Sequence, residues 1–296
     1  ESKVTAMLEE ILSQRTDLGL MDTVEVLNSA FCEAHSAGYT AAARKTLLHL
    51  VDKVHTHSPA ELNNVNVHQL FANTVQLLCT FQSAPDAASQ APTQSQASSS
   101  SSSVVDLAAG VQVGEVVEVL SKALDYIAKH GLAAFGGGQD QVQRTLLLLN
   151  EVSWNMAVRL GRVPTGAEGS TSVPDFLTMA RLYDMSATLL LHHLAKGSDQ
   201  GHAADACISL YLSAACKLMS HRSTADTKAE SKDLQEAMVS VGSIRAVRSE
   251  HGITANPNTS FSEARLEFEL GCLLGTDEGA LQRMAARVVK ELVPAR

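Results

Sequence analysis

Apolar residues recur every three to four positions along most of the chain, which is the spacing that places them on one face of a helix. The spacing predicts a helix over about 4–12, with Val4, Met7, Leu8 and Ile11 on one side. A second covers about 21–36 (Val24, Leu27, Ala30, Phe31, Ala34) and a third about 39–54 (Ala43, Leu47, Leu50, Val51). Gly38 breaks the pattern between the last two, so they read as an antiparallel hairpin with a short turn. Ser58-Pro59-Ala60-Glu61 has the residues of a helix start: a capping serine, a proline where its missing N–H costs nothing, and a glutamate able to reach back. Regular helix is expected only after the Asn-rich stretch 63–66, and then to about Phe81.

Helical patterning resumes over about 114–129 and stops at His130-Gly131, and Gly136 to Gly138 read as a turn. Over 141–159, Leu146, Leu149, Val152 and Met156 share one face, while Leu147, Trp154 and Val158 carry apolar surface round to others. A helix apolar over so much of its circumference is expected to be covered from more than one side. Gly161 to Val173 reads as a loop, and Ser172 to Asp175 as the start of a helix ending near Leu194. The most regular stripe in the chain follows: Ala203, Ala206, Cys207, Leu210, Tyr211, Ala214, Ala215, Leu218 and Met219, with Asp205, Ser209, Ser213 and Lys217 as its polar side. A polar hinge over 220–231, a helix over 232–250, a capping box at Ser260 to Glu263 opening a helix to about Leu274, and a last helix over 279–292 complete the pattern. No segment reads as a strand.

All seven prolines fall between these segments or at their starts. Inside a helix each would cost about 3 kcal/mol, so their placement supports the helical reading. Residues 83–103 differ in kind: Pro, Gln, Ala and Ser, ending in six serines, Ser98 to Ser103. Such a stretch has too little apolar surface to offset its ordering entropy and is expected to be a disordered insertion. The expected organisation is N-terminal helical hairpins over 1–82, this insertion over 83–103, and a helical segment over 104–296 continuing the same array. The fold class is all-α, antiparallel hairpins stacked as an α-solenoid; the same periodicities also allow a compact helical bundle.

Composition narrows the function classes. Of 296 residues, 45% are hydrophobic but only 4% aromatic, a mix suited to close-packed helices rather than sheets. The net charge of −9 is the wrong sign for direct binding to nucleic acid. No apolar run reaches the roughly 18 residues of a membrane span. The chain opens on Glu1 rather than Met, as expected of an excerpt. Its five cysteines (Cys32, Cys79, Cys207, Cys216, Cys272) are odd in number, widely spaced and set in apolar helical stretches. They read as reduced core thiols of a cytosolic or nuclear protein.

Two resemblances sharpen this. A bulky helix, a turn near Gly and a helix with small residues at fixed places resemble tetratricopeptide-type repeats, as in Ala37-Gly38-Tyr39 followed by Ala42 and Ala43. Trp154, Ala157, Val158 and Gly161, then Ala180, Tyr183 and Ala187, resemble a second copy with an expanded turn. More specifically, the stretch Leu149 to Val158, with Trp154, Asn155 and Ala157, resembles the Trp-Asn-x-Ala signature of the meiotic crossover scaffold family that includes testis-expressed protein 11 and the yeast sporulation and zipper-type homologues. Phe176, Ala180, Tyr183 and Ala187, and then Cys207, Leu210, Ala214 and Ala215, resemble the helices that follow in that family. The resemblance covers roughly residues 145–220 and departs at Ser209, where an apolar residue is expected, and at the long loop after Gly161. It implies a nuclear, chromosome-associated scaffold that binds proteins of the crossover machinery, without cofactor, metal or small-molecule substrate. Outside that family, the same residues suit a cytoplasmic repeat adaptor or, from another class, an all-helical enzyme with a site assembled from distant residues.

The residues that suggest chemistry have plainer readings. His192 and His193 point about 100° apart on a helix, and with His202 they lack a His-Glu-x-x-His frame, so they read as a solvated helix end. His55 and His57 read likewise, and Glu9, Glu10, Glu115 and Glu118 as exposed helix-face acids. Gly136 to Gly138 follow no strand and precede no Lys-Ser or Lys-Thr, so a phosphate loop is not expected. Cys207 and Cys216, nine residues apart, must lie on opposite sides of one helix. Trp154 is either a partner-binding anchor or core packing between hairpins, and its several-sided apolar helix favours packing. No residue reads as a catalytic group, and no exposed position is marked as the binding surface.

Overall fold

The computed structural model describes residues 20–62, 65–81, 111–162, 174–195, 199–223 and 230–292. Among them are ten α-helices, one 3-10 turn and no strand. The expected helix over 4–12 and the insertion over 83–103 lie outside the described residues. The chain divides into two compact units, one up to Thr145 and one from Leu146 onward.

In the first unit, α1 (Leu20–Ser36) and α2 (Thr40–Thr56) form the expected hairpin. Gly38 sits at φ 75°, a conformation that costs other residues a Cβ clash. The Tyr39 N–H donates to the Ala34 carbonyl and the Gly38 N–H to that of His35, the two bonds of a Schellman stop. Ala42 and Ala43, wholly buried, then let α2 run close to α1. Helix α3 (Val67–Phe81) becomes regular where expected. The Ser58 N–H and Oγ–H both donate to Glu61, but 58–62 form turns rather than the first part of α3.

Helix α4 (Val111–His130) buries Val116, Val119, Leu120, Ala123 and Tyr126 completely. At roughly 1.5–3 kcal/mol for each large side chain, this face makes a large contribution to the stability of the unit. A 3-10 turn at Leu132–Phe135, which the periodicity missed because it is one turn long, drives Phe135 into the core. There Phe135 stacks on Phe71 with ring centres 5.8 Å apart, and Tyr126 lies 6.5 Å from both. Gly137, at φ 79°, passes against the His68 ring with no room for a Cβ. Glu115 is not the exposed acid expected: it is half-buried and accepts from Arg44 on α2 at 2.7 Å. Glu118 is exposed and, with Asp52, holds Lys122.

Helix α5 (Gln139–Gly161) gives its first residues to the first unit and the rest to the second. The second unit continues with α6 (Phe176–Leu194), α7 (Gln200–Ser223), α8 (Glu230–His251), α9 (Pro257–Leu273) and α10 (Glu278–Leu292). From α6 onward each helix packs on the next. Ala187, Cys207, Leu210 and Ile244 join α6, α7 and α8 in one apolar cluster, and Ala214, Leu218, Val241 and Leu270 join α7, α8 and α9 in another.

The polar side of the α7 stripe lies inside the fold: Ser209 and Ser213 are wholly buried and Lys217 nearly so, because α6 covers that side while α8 covers the other. Only Asp205 of the four is exposed. Helix α7 also runs on through Ser223, into the stretch read as a hinge. Finally, Ser260 is not the cap of α9. The helix begins three residues earlier at Pro257, Asn256 caps it, and Glu263 is a buried ion-pair partner.

Candidate functional site

The residues of the family resemblance come together as a packing seam. Trp154 on α5 meets Tyr183 on α6 edge-on, with ring centres 5.2 Å apart. The Ser153 hydroxyl donates to the Leu182 carbonyl at 2.6 Å and the Ser186 hydroxyl to Asn150 at 2.6 Å. Ala157, Ala180, Ala187 and Ala214 are buried at 1% exposure or less, leaving helix backbones free to approach. Tyr183, Cys207 and Leu210 are buried, Trp154 and Ala215 half-buried, and Asn155 and Gly161 exposed. Trp154 is thus less enclosed than its helix's apolar girth suggests.

Cys207 and Cys216 do lie on opposite sides of α7. The Cys207 Sγ faces the Ile244 carbonyl of α8, and Cys216 lies near Asp184 of α6. Burial pushes the Cys207 thiol up and the Cys216 thiol up to about 11. Cys32 and Cys272 are exposed, which corrects the reading of all five as core thiols.

The histidines also come out differently from a solvated helix end. His192 and His193 are half-buried and burial lowers both. His193 meets His202 edge-on at 4.8 Å, and His202 Nδ1 lies 2.8 Å from Asp199. His55 is half-buried and is lowered chiefly by burial. No group of three or more potential metal ligands occurs among the described residues.

A concave site lies among the described residues of the second unit. A cleft of about 470 Å³ opens between α7, the connection from α8 to α9, and the first turns of α9. Ala204, Cys207, Ile208, Tyr211 and Leu212 form one wall, at the spacing of a single helix face. Ile253, Thr254, Ala255 and Asn256 form the other, with Thr259 and Ser262 beside them. Arg248 and Glu263 line it too, joined by paired hydrogen bonds. The carboxylate is buried and the guanidinium largely so, and each is committed to the other. Ile208 stands 46% exposed, a large apolar side chain offered at the opening. The cleft therefore provides an apolar trough with hydroxyls along one side, within the size range of small-molecule sites and of pockets that receive a partner's side chains.

Compared with known protein families, curated proteins and solved structures, the chain matches none. The family resemblance thus stands on residues 145–220 alone.

Reading the sequence did not find this cleft. Its signal was present: Ile208 and Leu212 are apolar, four residues apart and outside the main α7 stripe. A second stripe beside the first marks a helix with more apolar surface than one neighbour covers. The opposite wall had no such signal, because Ile253 to Asn256 lie in a connection whose path only packing sets.

Proposed function

We propose that the chain is a protein-binding scaffold of tetratricopeptide-like helical repeats that supports meiotic crossover formation and chromosome synapsis. The cleft beside α7 carries the binding half of this reading. Successive elements build it, it is apolar at its opening, and the charged pair that lines it is self-neutralised. Such a trough suits an apolar side chain presented by a partner, the usual anchor of a protein interface. A catalytic role is not favoured: the Cys207 thiol is held protonated, and Arg248 and Glu263 are locked to each other. The meiotic half rests on the stretch Leu149 to Val158 and the helices after it.

Ile208→Glu places a charge at the mouth of the cleft on an exposed position, so the fold should survive. Wild type and this variant, compared as baits in meiotic and vegetative cells, test both halves. The expected result is a set of crossover proteins recovered from meiotic cells by wild type and lost with Ile208→Glu. Identical partners in both cell types overturn the meiotic assignment; undiminished binding by the variant overturns the cleft as the site.

A further inference from the structure

The second wall of the cleft beside α7 is made of backbone that no helix uses. Ile253 to Asn256 join α8 to α9 outside either helix. Their burial alternates: Ile253 and Ala255 are half-buried, Thr254 and Asn256 exposed. A period of two is the pattern of extended chain. Asn256, held before Pro257, is itself extended at φ −68° and ψ 138°.

The segment is fixed at both ends. The Ile253 N–H donates to the Arg248 carbonyl, and the Ile253 side chain packs on the apolar cluster that joins α6, α7 and α8. At the other end Asn256 caps α9, and its carbonyl accepts from the Ser260 N–H and the Thr259 hydroxyl. Between these anchors, the backbone N–H and carbonyl groups of Thr254 and Ala255 make no hydrogen bond among the described residues. In extended chain the backbone groups of successive residues point to opposite sides. One donor and acceptor pair therefore stands open on each side of the segment, whichever side faces α7.

The two walls also match in length. From Ala204 to Leu212 the α7 wall runs about 12 Å. From Ile253 to Asn256 the other runs about 13 Å. The trough is thus as long as about four residues of extended peptide. A partner helix would leave Thr254 and Ala255 unpaired, because its own backbone groups bond internally. An extended segment satisfies them and turns every second side chain toward α7. Ile208 and Leu212 on that wall are apolar, and Arg248 and Glu263 neutralise each other, so the side chains it turns inward are apolar and uncharged.

We propose that the cleft takes an extended segment of a partner protein, added as a strand along Thr254 and Ala255 with alternate apolar side chains against Ile208 and Leu212. The edge is already ordered, so pairing costs only the ordering of the partner. This rests on the cleft being the binding site, and the test separates the two.

A displayed library of short random peptides is selected on the wild-type chain and depleted on Ile208→Glu. Enriched peptides should carry apolar residues at every second position. N-methylation of alternate backbone amides in such a peptide should weaken binding at least about tenfold for one alternating set and little for the other, because only one edge of the peptide pairs. Enriched peptides with apolar residues at helical spacing, or indifferent to N-methylation of either set, overturn the strand pairing and leave the cleft as the site. A library that yields no peptide distinguishing wild type from Ile208→Glu overturns both.

Discussion

Ser186 on α6 and Ser209 on α7 lie oxygen to oxygen at 3.0 Å where both are wholly buried. The Ser186 hydroxyl donates on to Asn150 on α5, so the Ser209 hydroxyl donates to Ser186, with the Asp205 carbonyl of its own helix 3.1 Å away as its alternative acceptor. Three successive helices thus share one chain of hydrogen bonds. This accounts for the departure at Ser209, where the family resemblance leads one to expect an apolar residue. Ser209→Leu is expected to lower stability by about 1–3 kcal/mol through overpacking, despite the gain in hydrophobicity. Ser209→Ala should cost about 1 kcal/mol. Urea denaturation followed by circular dichroism gives both values, and a stabilising Ser209→Leu would contradict the account.

Glu263 is expected to be the most sensitive acid of the second unit. Glu263 is 4% exposed and Arg248 is its partner. Glu263→Ala strands the guanidinium in an apolar setting and should cost about 3–5 kcal/mol. Exchanging both partners for apolar residues, as Arg248→Met with Glu263→Leu, should recover most of that loss. The same denaturation experiment on the single and double variants checks it.

Stability should fall as the medium is acidified below neutrality. Burial lowers the pKa of His68, partly offset by a hydrogen bond with the Phe135 backbone, and burial also lowers His55, His192 and His193. Each binds its proton less readily when folded than the 6.5 of the unfolded chain. Their contribution is therefore complete above that value and is lost as the pH drops through it toward the folded values. Denaturation midpoints measured between pH 8 and pH 5 should decline, and His68→Leu should flatten the decline.

Thiol labelling near pH 8 should divide the cysteines by location. Cys32 and Cys272 are exposed and should react at once. Cys207 and Cys216 are buried, and their raised pKa leaves little thiolate, so they should react only when the chain unfolds. Mass spectrometry of the labelled peptides gives the order. Rapid labelling of Cys216 in the native protein would place that part of α7 outside the core.

The sequence by itself determined the helices, because a 3.6-residue period and its punctuation by Gly and Pro are local properties. The Gly38 turn, the helix start within 172–175 and the extents of α2, α3 and α10 were legible for that reason. It determined, too, that Cys207 and Cys216 point apart, which helix geometry alone requires. Only tertiary structure decided which faces are covered. Ser209, Ser213 and Lys217 read only as the polar side of α7; that they are buried, with Ser186 and Asp184 of α6 as partners for Ser209 and Lys217, follows from packing. Glu263 read as a cap, yet Arg248, fifteen residues earlier, makes it half of an ion pair. The cleft beside α7 was half legible, since Ile208 and Leu212 mark one wall by their spacing. Its other wall is set by where the connection into α9 crosses, and that follows from the packing of α8 and α9 rather than from local pattern.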